Sequence, residues 1–297
     1  MALSKSPPLA PIATPSERLR RDAPRSRAST MTRVPLGQPP AMREAPPALG
    51  QDAIHVWTVA LDVADWRDAL VGGGLSNDEW RRAERAPLEH VRRRFAVCRA
   101  ALRAILAGDL ESRPDALRFC YGPFGKPHLD PARHSEPIRF NVSHADDLAL
   151  VAVSHNRELG VDLERLRPLD GIDDIARRCF GPAERRALDR APSSSRLSTF
   201  YRYWTLKEAY LKACGTGMSG ILDRIDVATA GDDPVALPDA LSGAERWWSA
   251  RPLDAAPGYL AALAVEGHHV TAYTLMMMSW PPRAASSQAP GAGVGDE

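Results

Sequence analysis

The chain has 297 residues, enough for one large domain or two modest ones. Its 38 basic and 37 acidic side chains nearly cancel, which excludes a uniformly basic nucleic-acid binder or a charged membrane-surface protein. No apolar run reaches the roughly 18–20 residues of a membrane helix, and no signal-peptide core follows Met1.

That charge balance hides an uneven distribution. Residues 1–50 carry eight basic against three acidic side chains, net +5, so the other 247 carry 30 against 34, net −4. Residues 1–50 also hold ten of the 26 prolines and no sustained apolar period, so they are expected to be a disordered Pro/Arg-rich tail. Residues 281–297 read as a second disordered tail. Cys98, Cys120, Cys179 and Cys214 show no paired spacing, which argues against a disulfide framework or a zinc site. A cytoplasmic protein, monomeric and without a membrane partner, is the expectation.

Between the tails, Ile54–Leu61 alternates like a strand. Ser76 and Glu79 form a capping box that opens a short helix. Leu88–Ala107 is a longer helix with a stripe of Val91, Phe95, Cys98, Leu102 and Ile105, and Gly108 is its expected stop. Strands are predicted at Ile138–Ser143, Leu148–Ser154 and Leu159–Glu164. Helices follow at Ile172–Phe180, Pro182–Arg190 and Leu197–Ala213, then strands near Ile221–Ala228, Arg246–Ser249, Tyr259–Val265 and His269–Leu275. The pattern predicts an α+β fold of two similar α/β halves, residues 51–157 and 158–280.

Gly160-Val161-Asp162-Leu163-Glu164 is the most informative stretch. In a strand, Val161 and Leu163 enter the core while Asp162 and Glu164 project side by side. Two adjacent carboxylates repel unless a cation or protons separate them, and a hard ion such as Mg²⁺ suits them. Taken alone, the pentapeptide reads more simply as a solvated strand face. In the helix around Lys207, Glu208 and Lys212 share one face, and Lys207 lies about 100° away. The group reads either as a surface ion pair or as two lysines holding a phosphate chain while Glu208 reaches a metal.

Two apparent motifs are set aside. Gly215-Thr216-Gly217-Met218-Ser219-Gly220 matches a dinucleotide fingerprint, but it follows a helix and precedes a strand, the wrong context. Ser143 and His144 are adjacent in a strand and face opposite ways, so they cannot be nucleophile and base. Among the many arginines of residues 81–103, Arg99 borders the apolar stripe and is the one expected to take phosphate.

Taken jointly, these pieces resemble the 4′-phosphopantetheinyl transferases of the surfactin-synthetase-activating (Sfp) type. The first motif resembles Gly122-Pro123-Phe124-Gly125-Lys126-Pro127. The second resembles Phe140-Asn141-Val142-Ser143-His144 followed by Gly160–Glu164. The third resembles the run from Trp204 through Lys207, Glu208 and Lys212 to Gly217. The resemblance covers about residues 52–280. It implies two α/β halves with coenzyme A in the cleft between them. It also implies transfer of the phosphopantetheine arm to a serine of an apo carrier protein, releasing 3′,5′-adenosine bisphosphate. Asp162, Glu164 and Glu208 would then hold Mg²⁺, and Lys212 would contact the pyrophosphate. Arg99, Lys126, Ser143 and His144 would belong to the adenosine 3′-phosphate end, with Lys207 near the cofactor and Glu208 the candidate base. Two rivals stay open at this stage: a non-catalytic module that binds coenzyme A or a carrier, and a nucleic-acid binder built on the arginine cluster and tail. No nucleic acid is expected as a partner on the first reading.

Overall fold

The computed structural model describes residues 47–63, 66, 74–217, 222–228, 234–239, 245–267 and 274–280. The two predicted tails lie outside these residues, apart from 47–50. The elements in chain order are β1 (Ala53–Ala60), α1 (Asn77–Glu84), α2 (Glu89–Asp109), β2 (Phe119–Tyr121), β3 (Pro127–Leu129), β4 (Ile138–Ala145), β5 (Leu148–His155) and β6 (Leu159–Arg165). They continue with α3 (Ile172–Cys179), α4 (Pro182–Arg190), α5 (Ser193–Cys214), β7 (Val235–Pro238), β8 (Trp247–Leu253), β9 (Tyr259–Glu266) and β10 (Thr274–Trp280).

The fold is mixed α/β, with two four-stranded sheets ordered β10-β1-β5-β4 and β6-β9-β8-β7, and β2 and β3 pair in a separate small hairpin. The first sheet's outer face packs on α2, through Ala96, Val97, Ala100, Leu102 and Leu106. Its inner face brings Ile54, Val56 and Leu150 against Val161, Leu163 and Leu263 of the second sheet. The second sheet's outer face meets α3, α4 and α5 in an aromatic core that includes Phe180, Phe200, Trp204 and Trp248. The result is a helix–sheet–sheet–helix sequence of layers, each boundary closed by apolar side chains.

Several expectations shift. The buried face of α2 keeps Cys98, Leu102 and Ile105 of the expected stripe and adds Ala96, Ala100 and Ala101, while Val91 at its start is exposed. Gly108 sits inside the last turn rather than ending it. The stretch predicted as a strand at Ile221–Ala228 is a 3₁₀ turn at Leu222–Arg224 followed by irregular chain, whose carbonyls have another use described below. The final strand does not extend the second sheet as the boundary 158–280 implies. Thr274–Trp280 instead runs parallel to β1 in the first sheet. Parallel neighbours need a long connection, and residues 61–273 lie between these two strands.

The end of α2 holds a titratable strain. Asp109 Oδ2 is buried with no hydrogen-bond partner, and burial pushes the carboxyl up to about 7. Its place in the last turn adds the unfavourable pull of the helix dipole on a negative charge. A carboxyl whose folded value is raised gives stability that is complete below the unfolded value and lost as pH climbs through the folded one. Asp109→Asn is therefore expected to stabilise the protein by about 1–4 kcal/mol at pH 8, and by much less near pH 4. Thermal melts of both proteins across that range check it; a pH-independent difference would contradict the burial argument.

Candidate active site

The site forms where the two sheets meet edge to edge. β6 alternates as expected: Val161 and Leu163 enter the inter-sheet core, and Gly160, Asp162 and Glu164 face α5. The carboxylates do not form a solvated face, however. Asp162 and Glu164 are each only 4% exposed, because α5 lies directly over them. Gly160 permits this approach. A Cβ built there would stand 2.2 Å from both Ala209 O and Ala213 N, within the backbone of α5. Glu208, also buried, and Lys212 lie one turn apart on the helix, so the close approach brings both toward the strand's acidic pair.

Lys212 is the hub. Its Nζ donates to Asp162 Oδ1 at 2.6 Å and to Ser143 Oγ at 2.9 Å. The Ser143 hydroxyl donates to Asp162 Oδ1 at 3.2 Å. Burial alone would lower the Lys212 ammonium's pKa, but Asp162, then Glu208 and Glu164, outweigh it and hold it above the ordinary value. Three carboxylates thus act on one ammonium ion. Among the described residues, no three His, Cys, Asp or Glu side chains are gathered as a ready-made metal cluster. The cation that offsets the acids here is Lys212. The donor chemistry nevertheless suits a hard divalent ion, since all three candidates are carboxylates and Asp162 Oδ2 is buried with no hydrogen-bond partner.

The first half of the chain supplies the other wall. β4 and β6 belong to different sheets, and side chains rather than a backbone ladder join them. Lys126 Nζ donates to Leu159 O at 3.2 Å. The Val161 N–H donates to Asn141 Oδ1 at 3.0 Å, and the Leu163 N–H to Ser143 Oγ at 3.2 Å. Three polar side chains thereby satisfy an otherwise open strand edge. Lys126 also binds Glu158 Oε2 at 2.7 Å and Ala213 O at 2.9 Å, and it lines a cleft of about 520 Å³ with Pro127, Phe140 and Gly215.

Not every predicted site residue joins this cluster. Lys207 is fully buried, with its Nζ donating to the carbonyls of Cys179, Leu222 and Ile225 at 3.1, 2.6 and 2.7 Å and paired to Glu184 Oε2 at 2.6 Å. Its rotation about the helix from Glu208 directs it into the aromatic core, where the contacts it makes are with the protein's own carbonyls and with Glu184. Arg99 also lies apart from the Lys212 cluster. Its Nε donates to Glu79 Oε1 at 2.7 Å and its guanidinium lies 4.7 Å from the Phe119 ring, so none of its partners belongs to the Lys212 cluster. Arg103 binds the other Glu79 oxygen at 2.7 Å, and this buried three-residue ion network ties α1 to α2. His144 is exposed on the β4 face opposite Ser143, as strand alternation requires. Gly215 and Gly217 take left-handed φ of +68° and +64° as connectors after α5, the role expected of that glycine run.

Asn141, Gly160 and Glu184 carry functions that residue-type reasoning missed. Gly160 had a visible signal, a glycine opening a buried strand beside two acids, which marks close backbone approach. Asn141 had a weaker one, a polar residue in an apolar strand.

Comparison with known proteins accords with this arrangement. Residues 158–264 match the family model described as the 4′-phosphopantetheinyl transferase superfamily. The chain is 38% identical over 216 residues to 4′-phosphopantetheinyl transferase HetI of Nostoc sp., covering 73% of this chain and 89% of that protein. It is 28% identical over 254 residues to a phosphopantetheinyl transferase of Thraustochytrium sp., covering 79% of this chain and 85% of that protein. It is 34% identical over 128 residues to a 4′-phosphopantetheinyl transferase of Bacillus subtilis, covering 42% and 54%. With most of the Nostoc protein spanned at that identity, the chain belongs to the 4′-phosphopantetheinyl transferase superfamily.

Proposed function

We propose that this enzyme transfers the 4′-phosphopantetheine arm of coenzyme A to a serine of an apo carrier protein, releasing adenosine 3′,5′-bisphosphate, and that it is of the Sfp type. The observation that carries the reading is Lys212, a charged ammonium held among Asp162, Glu164 and Glu208 at the junction of the two halves. Such a site suits a pyrophosphate bridged to acids by cations. Asp162, Glu164 and Glu208 are the residues that would hold Mg²⁺. When bound, that ion would neutralise charge on the pyrophosphate and on the departing bisphosphate.

The chain's own groups account for the rest. Lys212 sits partly buried, where its charge is weakly screened, and stabilises the phosphate oxygens as negative charge grows on the leaving group. Ser143 fixes the direction of that ammonium by accepting its second hydrogen bond. Glu208 takes the proton of the attacking serine, which is a weak nucleophile without a base. Lys126, lining the inter-half cleft, serves the adenosine end. Among the described residues no helix is long and apolar enough to cross a membrane. The working form proposed is a monomeric cytoplasmic protein, with coenzyme A and an apo carrier as its partners.

Incubation with coenzyme A, Mg²⁺ and several apo carriers, read by intact mass, tests the reading; no phosphopantetheine adduct on any carrier would refute it. Glu208→Gln separates the two roles of Glu208. At saturating Mg²⁺ the variant is expected to remain ~10²–10⁴-fold slow, as for a lost acid–base group. Full recovery with added Mg²⁺ would remove the base role and keep the ligand role.

A further inference from the structure

The two peptide N–H groups that flank Asp162 both point away from β9, toward β4. Each is taken by a side chain of the other half: Val161 N–H by Asn141 Oδ1 at 3.0 Å, and Leu163 N–H by Ser143 Oγ at 3.2 Å. Asn141 and Ser143 are two residues apart on β4, so they share one face and match the two-residue spacing of the N–H groups they bind. Both are buried, at 5% and 7% exposure. The Leu163 N–H belongs to the peptide plane that leaves Asp162 and the Val161 N–H to the plane between Gly160 and Val161, so the two acceptors pin the strand just after Asp162 and one residue before it. The direction of the Asp162 carboxylate, and of Lys212 bound to it, then depends on where the first half of the chain sits.

We propose that Asn141 is a positioning residue for the transfer reaction: with Ser143 it clamps the backbone on both sides of Asp162 and so couples the placement of the first half to the aim of the Asp162–Lys212 pair. The inference rests on the transferase reading. Ser143 also touches Lys212 and Asp162 directly. Among the described residues, the hydrogen bond of Asn141 is to the Val161 peptide group.

Three variants of the full-length chain test the clamp. Asn141→Leu keeps the breadth of the side chain and removes the acceptor, while Asn141→Asp keeps an acceptor oxygen at the same place. Asn141→Ser is too short to span the gap, and it replaces the leucine variant if that protein does not fold. Amide exchange at Val161, followed by NMR without coenzyme A or metal, reads the hydrogen bond itself. Leucine or serine at 141 is expected to speed that exchange about tenfold, the value of one net hydrogen bond. Transfer by the same protein should lose about 10–100-fold in kcat, the scale of a small misplacement, with little change in KM for coenzyme A. Asn141→Asp should restore most of both.

A folded leucine or serine variant whose Val161 amide exchanges as slowly as the wild type would overturn the clamp. So would one that exposes Val161 yet keeps wild-type kcat, or an aspartate variant as slow as the leucine one. If the wild-type protein modifies no carrier while its Val161 amide is protected, the transferase reading fails and takes the positioning role with it, sparing only the hydrogen bond.

Discussion

Gly160→Ala is expected to lower stability by about 3 kcal/mol and transfer by about 10²-fold, the largest effect of any one-carbon change at the site. The added Cβ would meet Ala209 O and Ala213 N at 2.2 Å and the Lys212 carbonyl carbon at 2.8 Å. All three are backbone atoms of one helix, so no rotamer change relieves the overlap. Either α5 lifts from β6 or the strand bends, and a shift of about 1 Å is enough to spoil a reacting geometry. Lifting α5 separates Glu208 and Lys212 from Asp162 and Glu164, so activity suffers even where the fold survives. Gly50→Ala is the matched control, since its Cβ finds its nearest neighbour at an ordinary 3.7 Å and nothing else is displaced. Thermal melts and carrier modification by mass check both variants. A Gly160→Ala protein with wild-type melting and turnover would show that the helix is not seated on the strand there.

The same contact shows how much of the site was legible in the sequence. Strand alternation correctly sent Val161 and Leu163 inward and Asp162 and Glu164 to the other face, because a period of two follows from backbone geometry alone. Spacing of four placed Glu208 and Lys212 on one helix face for the same kind of reason. What the sequence could not carry was which partner covers a given face. Taken alone, the Gly160–Glu164 pentapeptide reads as solvated because nothing local announces that a helix beginning 29 residues after Glu164 will bury it; only Gly160 hints at it. The pairing of Arg99 with Glu79 across the α1–α2 corner was likewise not legible, because the two lie 20 residues apart. β10 read as part of the second half because strand pairing is non-local, and proximity in sequence is a poor guide to the sheet a strand joins. Gly122–Lys126 was noticed through family resemblance, while the short strands on either side, β2 and β3, have too few residues to show a period.

Lys207 is the strongest case of a residue whose type suggested one role and whose surroundings impose another. Burial pushes its ammonium below the ordinary value, against the pull of Glu184, while burial pushes the Glu184 carboxyl up. Four acceptors nonetheless surround the ammonium, and Glu184 in turn accepts the Gly181 and Val227 N–H groups at 2.7 and 2.9 Å. The pair therefore staples α5 to the start of α4 and to the irregular chain after the 3₁₀ turn, which explains why Leu222–Val227 is no strand: its carbonyls solvate Lys207. Lys207→Met should cost about 3–5 kcal/mol, because it leaves a buried carboxylate without its cation. Glu184→Gln combined with it should cost about 2 kcal/mol less than the two single changes added together, since the charge mismatch is removed from both sides. The three backbone carbonyls remain without their donor, so the double variant does not regain full stability. Denaturant unfolding of the four proteins closes the cycle, and additive costs would refute the coupling. The cofactor role is separated by kinetics on Lys207→Met below its melting temperature. A lysine that touched coenzyme A would raise KM about tenfold or more when lost, as removal of a charged hydrogen bond does. A purely structural lysine leaves KM near the wild-type value, and that is the expected result.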